Sequence, residues 1–447
     1  MRASVVVVGG GLAGLTAACR LRARGCEVTV LEAAQGPGGR AAGGEHEGYR
    51  WDGGGHAASA RDAGLVALIA EAGLSGELLP LRPERLLQVS GSQAVPIDPA
   101  RTLGIARSPG VRWRDALRLR RLPRLLRKFE TLLDPADPLR ATRLDDRSVA
   151  DFVRLYFGAS ALEHWAAPLL IGDALADPIE TSRLLFILHH LSRNEAPVGL
   201  LRGSFRELAN RLTRPSDRFG ARVRTLEAAG QGFRVAFEHE GSEQTMEPDG
   251  VVLATPAETV IPLAGPLLVD AERRIFEASR SLPALVLVAG LEGSFAEKAS
   301  RYRFRPEERR PVVSMAVEPG GAWSTAAPEG CERAVLMASA EWSAAHFDAP
   351  DDVVAKTLAG SLGRVLPGAP AAMCFSRVLR HRRAFPRFDV GRYRELSRLR
   401  DVSADRLAHG RRLVFAGDYR IAPTIEGAVV SGGQAADELA AAFGLSR

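Results

Sequence analysis

The stretch that most constrains this chain is residues 4–40, SVVVVGGGLAGLTAACRLRARGCEVTVLEAAQGPGGR. Ser4 to Val8 form an apolar run ended at once by glycines, the pattern of a buried strand. Gly9, Gly11 and Gly14 then fall at G-x-G-x-x-G spacing. The first glycine permits a tight turn, the second lets backbone approach a pyrophosphate, and the third lets a helix lie close on the strand. Leu12 to Arg24 supply that helix, whose first N–H groups, at Leu12 and Ala13, would face phosphate with a favourable dipole. Glu27 to Leu31 read as a second strand, with Glu32 and Ala33 at its end. A carboxylate there suits ribose hydroxyls and disfavours a 2′-phosphate. Strand, glycine turn, helix, strand and acid together predict a dinucleotide site.

The run Gly36-Pro37-Gly38-Gly39-Arg40 adds flexible backbone and a cation where a diphosphate would lie. A fold binding only a nicotinamide dinucleotide has no evident need of it, so the expectation moves towards FAD. A second glycine turn, Asp52-Gly53-Gly54-Gly55-His56, follows a short strand at Gly48 to Trp51. Glycine lets such a loop approach a flat ring closely, although a plain surface turn has the same composition. His56 reads as a loop histidine bonded to backbone rather than as a catalyst.

The far end of the chain carries a matching pattern. Arg412 to Ala416 read as a strand, Gly417-Asp418 follow, and Ile425 to Phe443 read as a long helix. Asp418 can hydrogen-bond a ribityl or ribose hydroxyl. The helix start, Thr424, Ile425, Glu426 and on to Ala428, can face the pyrimidine edge of a flavin, where reduction builds negative charge. The two ends of the sequence are therefore expected to close one site.

At 447 residues the chain exceeds one simple core, so two or three domains are expected. It holds no run of 18 apolar residues and no secretory pattern at its start. Cys19, Cys26, Cys331 and Cys374 form no C-x-x-C pair, which points away from metal and disulfides and towards a cytoplasmic protein. The net charge of +6 invites a nucleic-acid reading, but only three lysines occur and no nucleic-acid motif accompanies them, so no such partner is expected.

The middle is read more coarsely. Ala63 to Leu74 carry helical periodicity, and Leu86 to Ile97 read as a hairpin around Ser90-Gly91-Ser92. Residues 101–195 form a mainly helical block. Within it Leu122, Leu125, Leu126, Phe129, Leu132 and Leu133 recur on one helical face, in a stretch of arginines from Arg101 to Arg127. A leucine face beside cations builds an interfacial helix over 114–133, or equally a core-facing helix with a solvated side. Ser148 is placed to cap a helix running to Phe157. His189 and His190 are adjacent and so point to different faces, against a joint metal site. Gly203 to Leu212 read as a helix. Arg222 to Leu226, Phe233 to Phe237 and Val251 to Ala254 read as strands returning to a sheet. Ser281 to Leu291, Pro311 to Val317 and Arg333 to Glu341 are further strands, Asp351 to Leu366 a helix, and Arg301 to Arg310 a surface loop.

The fold class expected is α/β. A Rossmann-like cofactor domain, discontinuous over 1–80, 196–275 and 405–447, joins an α+β substrate domain over 81–100 and 276–404. The helical insertion spans 101–195.

The segments VVVVGGGLAGLTAA, VTVLEA, GPGGR, DGGGH and FAGDYRIAPTIEGAVVSG resemble the FAD-dependent superfamily of flavin amine oxidases, protoporphyrinogen oxidases and phytoene desaturases. The resemblance implies FAD as cofactor. It places Val223 where the family contacts adenine through backbone, and Ala254 at the end of the strand before the return crossing. SVADFVRLYFGASALEHWAAPLLIGDALADPIETS and RAFPRFDVGRYREL look like protoporphyrinogen oxidases, which implies that the helical block is their membrane-associated part. Gly36 stands where relatives carry arginine, which implies that one cofactor contact is missing. Two further departures count against amine oxidation: residues 281–291 hold no lysine, and Tyr419 has no clear aromatic partner for a cage. The expected activity is dehydrogenation of a large apolar, porphyrinogen-like substrate by hydride transfer to flavin, with oxygen or a quinone as acceptor. A carotenoid or squalene-type desaturase or dehydroxylase, an amine oxidase and a redox-neutral isomerase share the same cofactor site. No catalytic side chain and no metal ligand is expected.

Overall fold

The computed structural model describes residues 2–53, 58–59, 62–79, 85–193, 197–201, 204–296, 298–305, 311–321 and 324–445. Its centre is a five-stranded parallel sheet in the order Arg218–Phe219, Glu27–Glu32, Ser4–Val8, Gly250–Leu253, Leu413–Phe415. Strands from residue 4 and residue 413 thus share one sheet, with Val6 and Val7 paired to Val251 and Val252, and these in turn to Leu413 and Val414. Val5 and Val7 pack with the first helix, Leu12–Ala23, and the last, Ile425–Ala442. Val6 and Val8 belong instead to the largest core, together with Leu226, Val235 and Phe237. Such a run of valines fits a strand covered on both faces, each side chain worth roughly 1.5–3 kcal/mol on burial.

The first and last helices touch at backbone distance. A Cβ on Gly432 would lie 2.2 Å from the Ala13 carbonyl oxygen, so no larger residue fits there without parting the helices.

The strands read at Arg222 to Leu226 and Phe233 to Phe237 exist, but they do not return to this sheet. Arg222–Ala229, Gly232–His239 and Ser242–Met246 form a separate antiparallel sheet, and only Gly250–Leu253 rejoins the parallel one. Local periodicity marks a strand and says nothing of its partner.

A seven-stranded sheet runs in the order Met373–Pro386, Ser281–Glu292, Cys331–Ala338, Val312–Pro319, Ser300–Phe304, Arg85–Ser90, Gln93–Pro96. Its back face, with Leu285, Leu287, Leu336 and Tyr302, packs on the helix Asp351–Val365 through Val354, Leu358 and Leu362. Its front face carries a smaller core, Leu175, Ala284 and Val286, ringed by half-buried Leu282, Val313, Val335, Met337, Leu379 and Phe385. Two corrections follow. The expected surface loop from Arg301 begins as strand Ser300–Phe304, with Tyr302, Arg303 and Phe304 buried, while residues 306–310 lie outside the described residues. The long edge strand Met373–Pro386 was not read from the sequence at all.

Residues 102–193 are mainly helical. Ser148 caps the helix Val149–Tyr156, its Oγ accepting from the Asp151 N–H at 3.1 Å. The continuous helix expected over 114–133 does not form. Trp113–Arg118 and Leu122–Phe129 are separate helices joined by a tighter turn, Leu119–Arg121. Leu122 and Leu133 are buried, and Leu125, Leu126, Phe129 and Leu132 pack against the main core. The leucine face is therefore spoken for by the protein. Among the described residues of this block, the large apolar side chains left exposed are Leu103, Trp113, Leu117, Leu155 and Ile179. Among the described residues no helix is long and apolar enough to cross a membrane.

Candidate functional site

The glycine turn is built as its spacing demands, and each glycine has its own reason. Gly9 has φ +110°, and a Cβ there would lie 2.6 Å from the Ala254 carbonyl oxygen. A Cβ on Gly14 would lie 2.0 Å from the Gly9 oxygen, so this glycine lets helix and strand touch. Gly11 differs. Its backbone is extended, with φ −71°, and a Cβ there meets no atom of the described residues within 4 Å. Only Gly11 opens outward, in front of the first turn that begins at Leu12 and Ala13.

The GPGGR run lies against this turn. The Gly38 N–H donates to the Gly10 carbonyl at 2.8 Å, and Gly38 and Gly11 form a parallel bridge. A Cβ on Gly39 would lie 3.2 Å from the Gly11 Cα. The two loops therefore form one backbone cradle from residues about 30 apart. Arg40 leaves it as a latch. It donates Nη1 to Asp418 Oδ2 at 2.8 Å, Nη2 to Asp418 Oδ1 at 2.7 Å, and Nη1 to the Ala384 carbonyl at 2.7 Å. The cation thus ties the cofactor loop to the last strand's exit and to the edge of the seven-stranded sheet.

At the other end of the cradle Glu32 accepts the Gly10 N–H at 2.6 Å and the Ala34 N–H at 2.8 Å. Its carboxylate is held at the strand end, beside exposed Ala33. The Ala221 N–H donates to the Glu32 carbonyl at 2.8 Å, which brings Val223, two residues on, to the same end. Ala254 stands behind Gly9 and Gly14.

Gly53 is explained by the chain itself: a Cβ would lie 2.1 Å from the Arg40 carbonyl oxygen. Gly54, Gly55 and His56 lie outside the described residues. Asp52 accepts the Phe205 N–H at 2.9 Å at the start of the helix Ser204–Leu212, and burial raises its carboxyl to about 6.

At the C-terminal end, Thr424 caps the last helix, its Oγ1 accepting the Gly427 N–H at 2.9 Å. The N–H groups of Ile425 and Glu426 remain at the helix start, followed by Ala428. The Glu426 side chain does not turn to the cofactor. It accepts the N–H groups of Gly64 and Leu65 at 2.9 and 2.7 Å, in the first turn of the helix Ala63–Glu71. Its carboxylate is structural, and only its backbone belongs to the candidate site. The Gly417 N–H donates to Ser431 Oγ at 3.0 Å.

Several buried polar atoms around the cradle have no hydrogen-bond partner among the described residues: Thr255 Oγ1, Glu258 Oε2, Tyr419 OH and His381 Nε2. Thr255 follows the strand beside Gly9, and Glu258 acts electrostatically on Arg40. Tyr419 packs edge-on to Phe276, with ring centroids 6.2 Å apart, in the main core. Burial lowers the His381 imidazole, with Arg40 adding to the effect. Orphaned buried groups are rare in folded proteins and mark places where a ligand completes the bonding. An outward glycine, a double backbone cradle, a helix start and orphaned polar atoms fit a dinucleotide bearing a flavin. Sequence reading missed Thr255, Glu258 and His381, because none stands in a recurring local pattern. Among the described residues no cluster of three or more His, Cys, Asp or Glu is placed to hold a metal.

Residues 12–440 match the family described as flavin containing amine oxidoreductase. Among curated proteins, 175 residues are 26% identical to protoporphyrinogen oxidase 2, chloroplastic/mitochondrial, of Arabidopsis thaliana, over 39% of this chain and 33% of that protein. A shorter segment of 36 residues is 64% identical to hydroxyneurosporene desaturase of Cereibacter sphaeroides, over 8% of this chain and 7% of that one. The matches thus span a third or less of those relatives' own lengths. Among solved structures, a protein of Exiguobacterium sp. 255-15 provisionally described as a protoporphyrinogen oxidase aligns over 98% of both chains, with TM-score 0.76 and 18% identity. Cyclohexylamine oxidase of Brevibacterium oxydans aligns over 100% of both, with TM-score 0.71 and 16% identity. At such identities the structural likeness establishes the fold.

Proposed function

The chain belongs to the flavin containing amine oxidoreductases, with FAD as its cofactor, and from that premise we propose that it dehydrogenates a large apolar substrate of porphyrinogen-like size. The observation that supports this substrate class is the front face of the seven-stranded sheet. Leu282, Val313, Val335, Met337, Leu379 and Phe385 stand there half-buried around a small core, an extended apolar wall rather than a small polar pocket. The same wall is tied to the cofactor loop by the Arg40 contact with Ala384.

When bound, FAD supplies the two-electron acceptor. The protein's part is to bind and orient. Gly9, Gly11, Gly14, Gly38 and Gly39 would hold the pyrophosphate on backbone, with Glu32 and Val223 at the adenosine end. The start of the last helix would place its N–H groups and dipole where negative charge develops. Among the described residues no side chain of the site stands out as a base, and positioning would carry most of the work. Oxygen or a quinone would return the cofactor to its oxidised form.

The test is anaerobic bleaching of the FAD-loaded protein with a porphyrinogen, a polyisoprenoid and a primary amine. Bleaching by the porphyrinogen supports the reading. Bleaching by the amine or the polyisoprenoid alone moves it to an amine oxidase or a desaturase. No bleaching while FAD stays bound overturns dehydrogenation in favour of a redox-neutral isomerase.

A cytoplasmic protein with a peripheral membrane contact is the second part of the proposal. Its support is the exposed Leu103, Trp113 and Leu117 beside Arg112, Arg114 and Arg118, apolar groups flanked by cations as an anionic bilayer surface requires.

A further inference from the structure

The edge strand Met373–Pro386 carries one histidine, His381, on the sheet face that forms the apolar wall. Register pairs Leu379 with Val286, His381 with Ala284 and Phe385 with Leu282. Directly paired residues share a face of the sheet. Leu379, Val286, Ala284, Phe385 and Leu282 all belong to the front core, so His381 stands among them. The strand bulges beside it, because the step of four residues from His381 to Phe385 opposes a step of two from Ala284 to Leu282. Extra residues of this kind bend a strand and re-aim it. Within the bulge the Ala384 carbonyl accepts Arg40 Nη1 at 2.7 Å. His381 therefore sits where the apolar wall meets the cofactor loop, and the Arg40 charge reaches its ring.

His381 Nε2 is buried and has no hydrogen-bond partner among the described residues. A nitrogen taken out of water with nothing to bond loses its hydration and regains nothing. Burial first, then Arg40, lowers the imidazole below its usual range, so the ring is neutral at pH 7. Thr255 Oγ1 and Glu258 Oε2 are buried without partners there too. Both follow the strand Gly250–Leu253 of the parallel sheet, and Glu258 acts on Arg40 from that side. Unsatisfied polar atoms from two separate sheets thus gather at one cation. A single flat, polar group lying between the sheets would satisfy both sides. Along the cradle Glu32 holds one end, Gly11 and Gly38 the middle, and Arg40 the other end. A dinucleotide with its adenosine at Glu32 and its pyrophosphate at Gly11 reaches past Arg40 with its flavin.

Resting on that reading of the cradle, we propose that His381 is a flavin-binding residue, whose Nε2 hydrogen-bonds a polar atom of the isoalloxazine ring. The seven-stranded sheet then contributes a side chain to the cofactor site, and a hydrogen bond there tunes the electronics of the bound ring. The apolar wall and the cofactor are held together through this side chain as well as through the Arg40 contact.

The experiment uses the full chain loaded with FAD and no substrate, so that any effect reports on the cofactor itself. Wild type, His381→Phe, His381→Gln and Gly11→Val are compared by the visible flavin bands and by FAD fluorescence released on dilution. His381→Phe keeps a ring and loses the nitrogen; it should weaken FAD binding roughly three- to ten-fold and alter the visible bands. His381→Gln places an amide nitrogen near Nε2 and should recover most of the loss. Equal affinity and identical bands in wild type and His381→Phe overturn the inference. So does a His381→Gln impaired as much as His381→Phe, which would mark a packing role. Should the larger ring not be accommodated, as a lowered Tm would show, His381→Leu takes its place in the same comparison. Gly11→Val tests the cradle separately. If it retains FAD, the cradle reading falls and takes this inference with it; loss of FAD there beside an unaffected His381→Phe overturns this inference alone.

Discussion

Arg40 and Asp418 stand 378 residues apart in sequence and meet fork to fork, Nη1 to Oδ2 at 2.8 Å and Nη2 to Oδ1 at 2.7 Å. Bidentate pairs of this kind fix direction as well as distance. Asp418 is 10% exposed at its side chain and Arg40 38%, so the pair is only partly shielded from water.

Removing one partner should therefore cost less than breaking a fully buried pair. Asp418→Ala is expected to lower stability by about 1–3 kcal/mol and to reduce retained FAD, while Asp418→Asn keeps more of both. Denaturant melts and the flavin absorbance of purified protein check this.

Two glycines of one fingerprint should fail in different ways. Gly11→Val meets no atom of the described residues near its Cβ, so the protein should fold with nearly unchanged Tm and purify without FAD. Gly14→Ala drives a methyl to 2.0 Å from the Gly9 oxygen and should cost roughly 1–3 kcal/mol or more. A yellow Gly11→Val protein would contradict the placement of the pyrophosphate.

Acid should weaken the helical block. Burial lowers both His189 and His190 to about 4, below the unfolded value near 6.5. The folded chain then binds fewer protons than the unfolded chain between those values, so stability falls as pH drops from 6.5 towards 4. For an enclosed ring the loss approaches about 3 kcal/mol, and the adjacent pair titrates jointly. His190 sits edge-on to Trp165, centroids 5.6 Å apart, so His190→Phe keeps an aromatic ring there. Its melts at pH 7, 5.5 and 4.5 should show a shallower decline than the wild type's.

The arginine-rich stretch allows its two readings to be separated. Leu122→Ala should destabilise the fold by roughly 2–5 kcal/mol, because that side chain is 3% exposed. Trp113→Ser, at a residue 68% exposed, should leave Tm unchanged and reduce co-sedimentation with anionic liposomes at low salt. Unchanged co-sedimentation of Trp113→Ser removes the membrane proposal.

What could be read from sequence followed from locality. The Gly9 to Gly14 turn, the Ser148 cap and the Thr424 helix start are each set within a few residues, so pattern alone located them. The strand Met373–Pro386 escaped because Arg377, Arg380, Arg382 and Arg383 on a sheet edge erase apolar alternation. Arg303 looked like part of a charged loop because its partner, Asp173, lies 130 residues away. The leucines of 122–133 were legible as a helical face, but a core and a bilayer impose the same spacing. Glu426 was read for its position at a helix start, while its carboxylate answers to Gly64 and Leu65.

The backbone contact between Gly432 and Ala13 bears on how the protein is made. During synthesis the first strand and helix leave the ribosome hundreds of residues before the Leu413–Phe415 strand and the last helix that complete their sheet. Until then the nucleotide fingerprint has one wall, no Arg40 latch and an uncovered apolar side. The nascent chain must therefore carry an unfinished cofactor domain until that strand and helix are made, and stable cofactor capture can begin only after the helix Ile425–Ala442 has emerged.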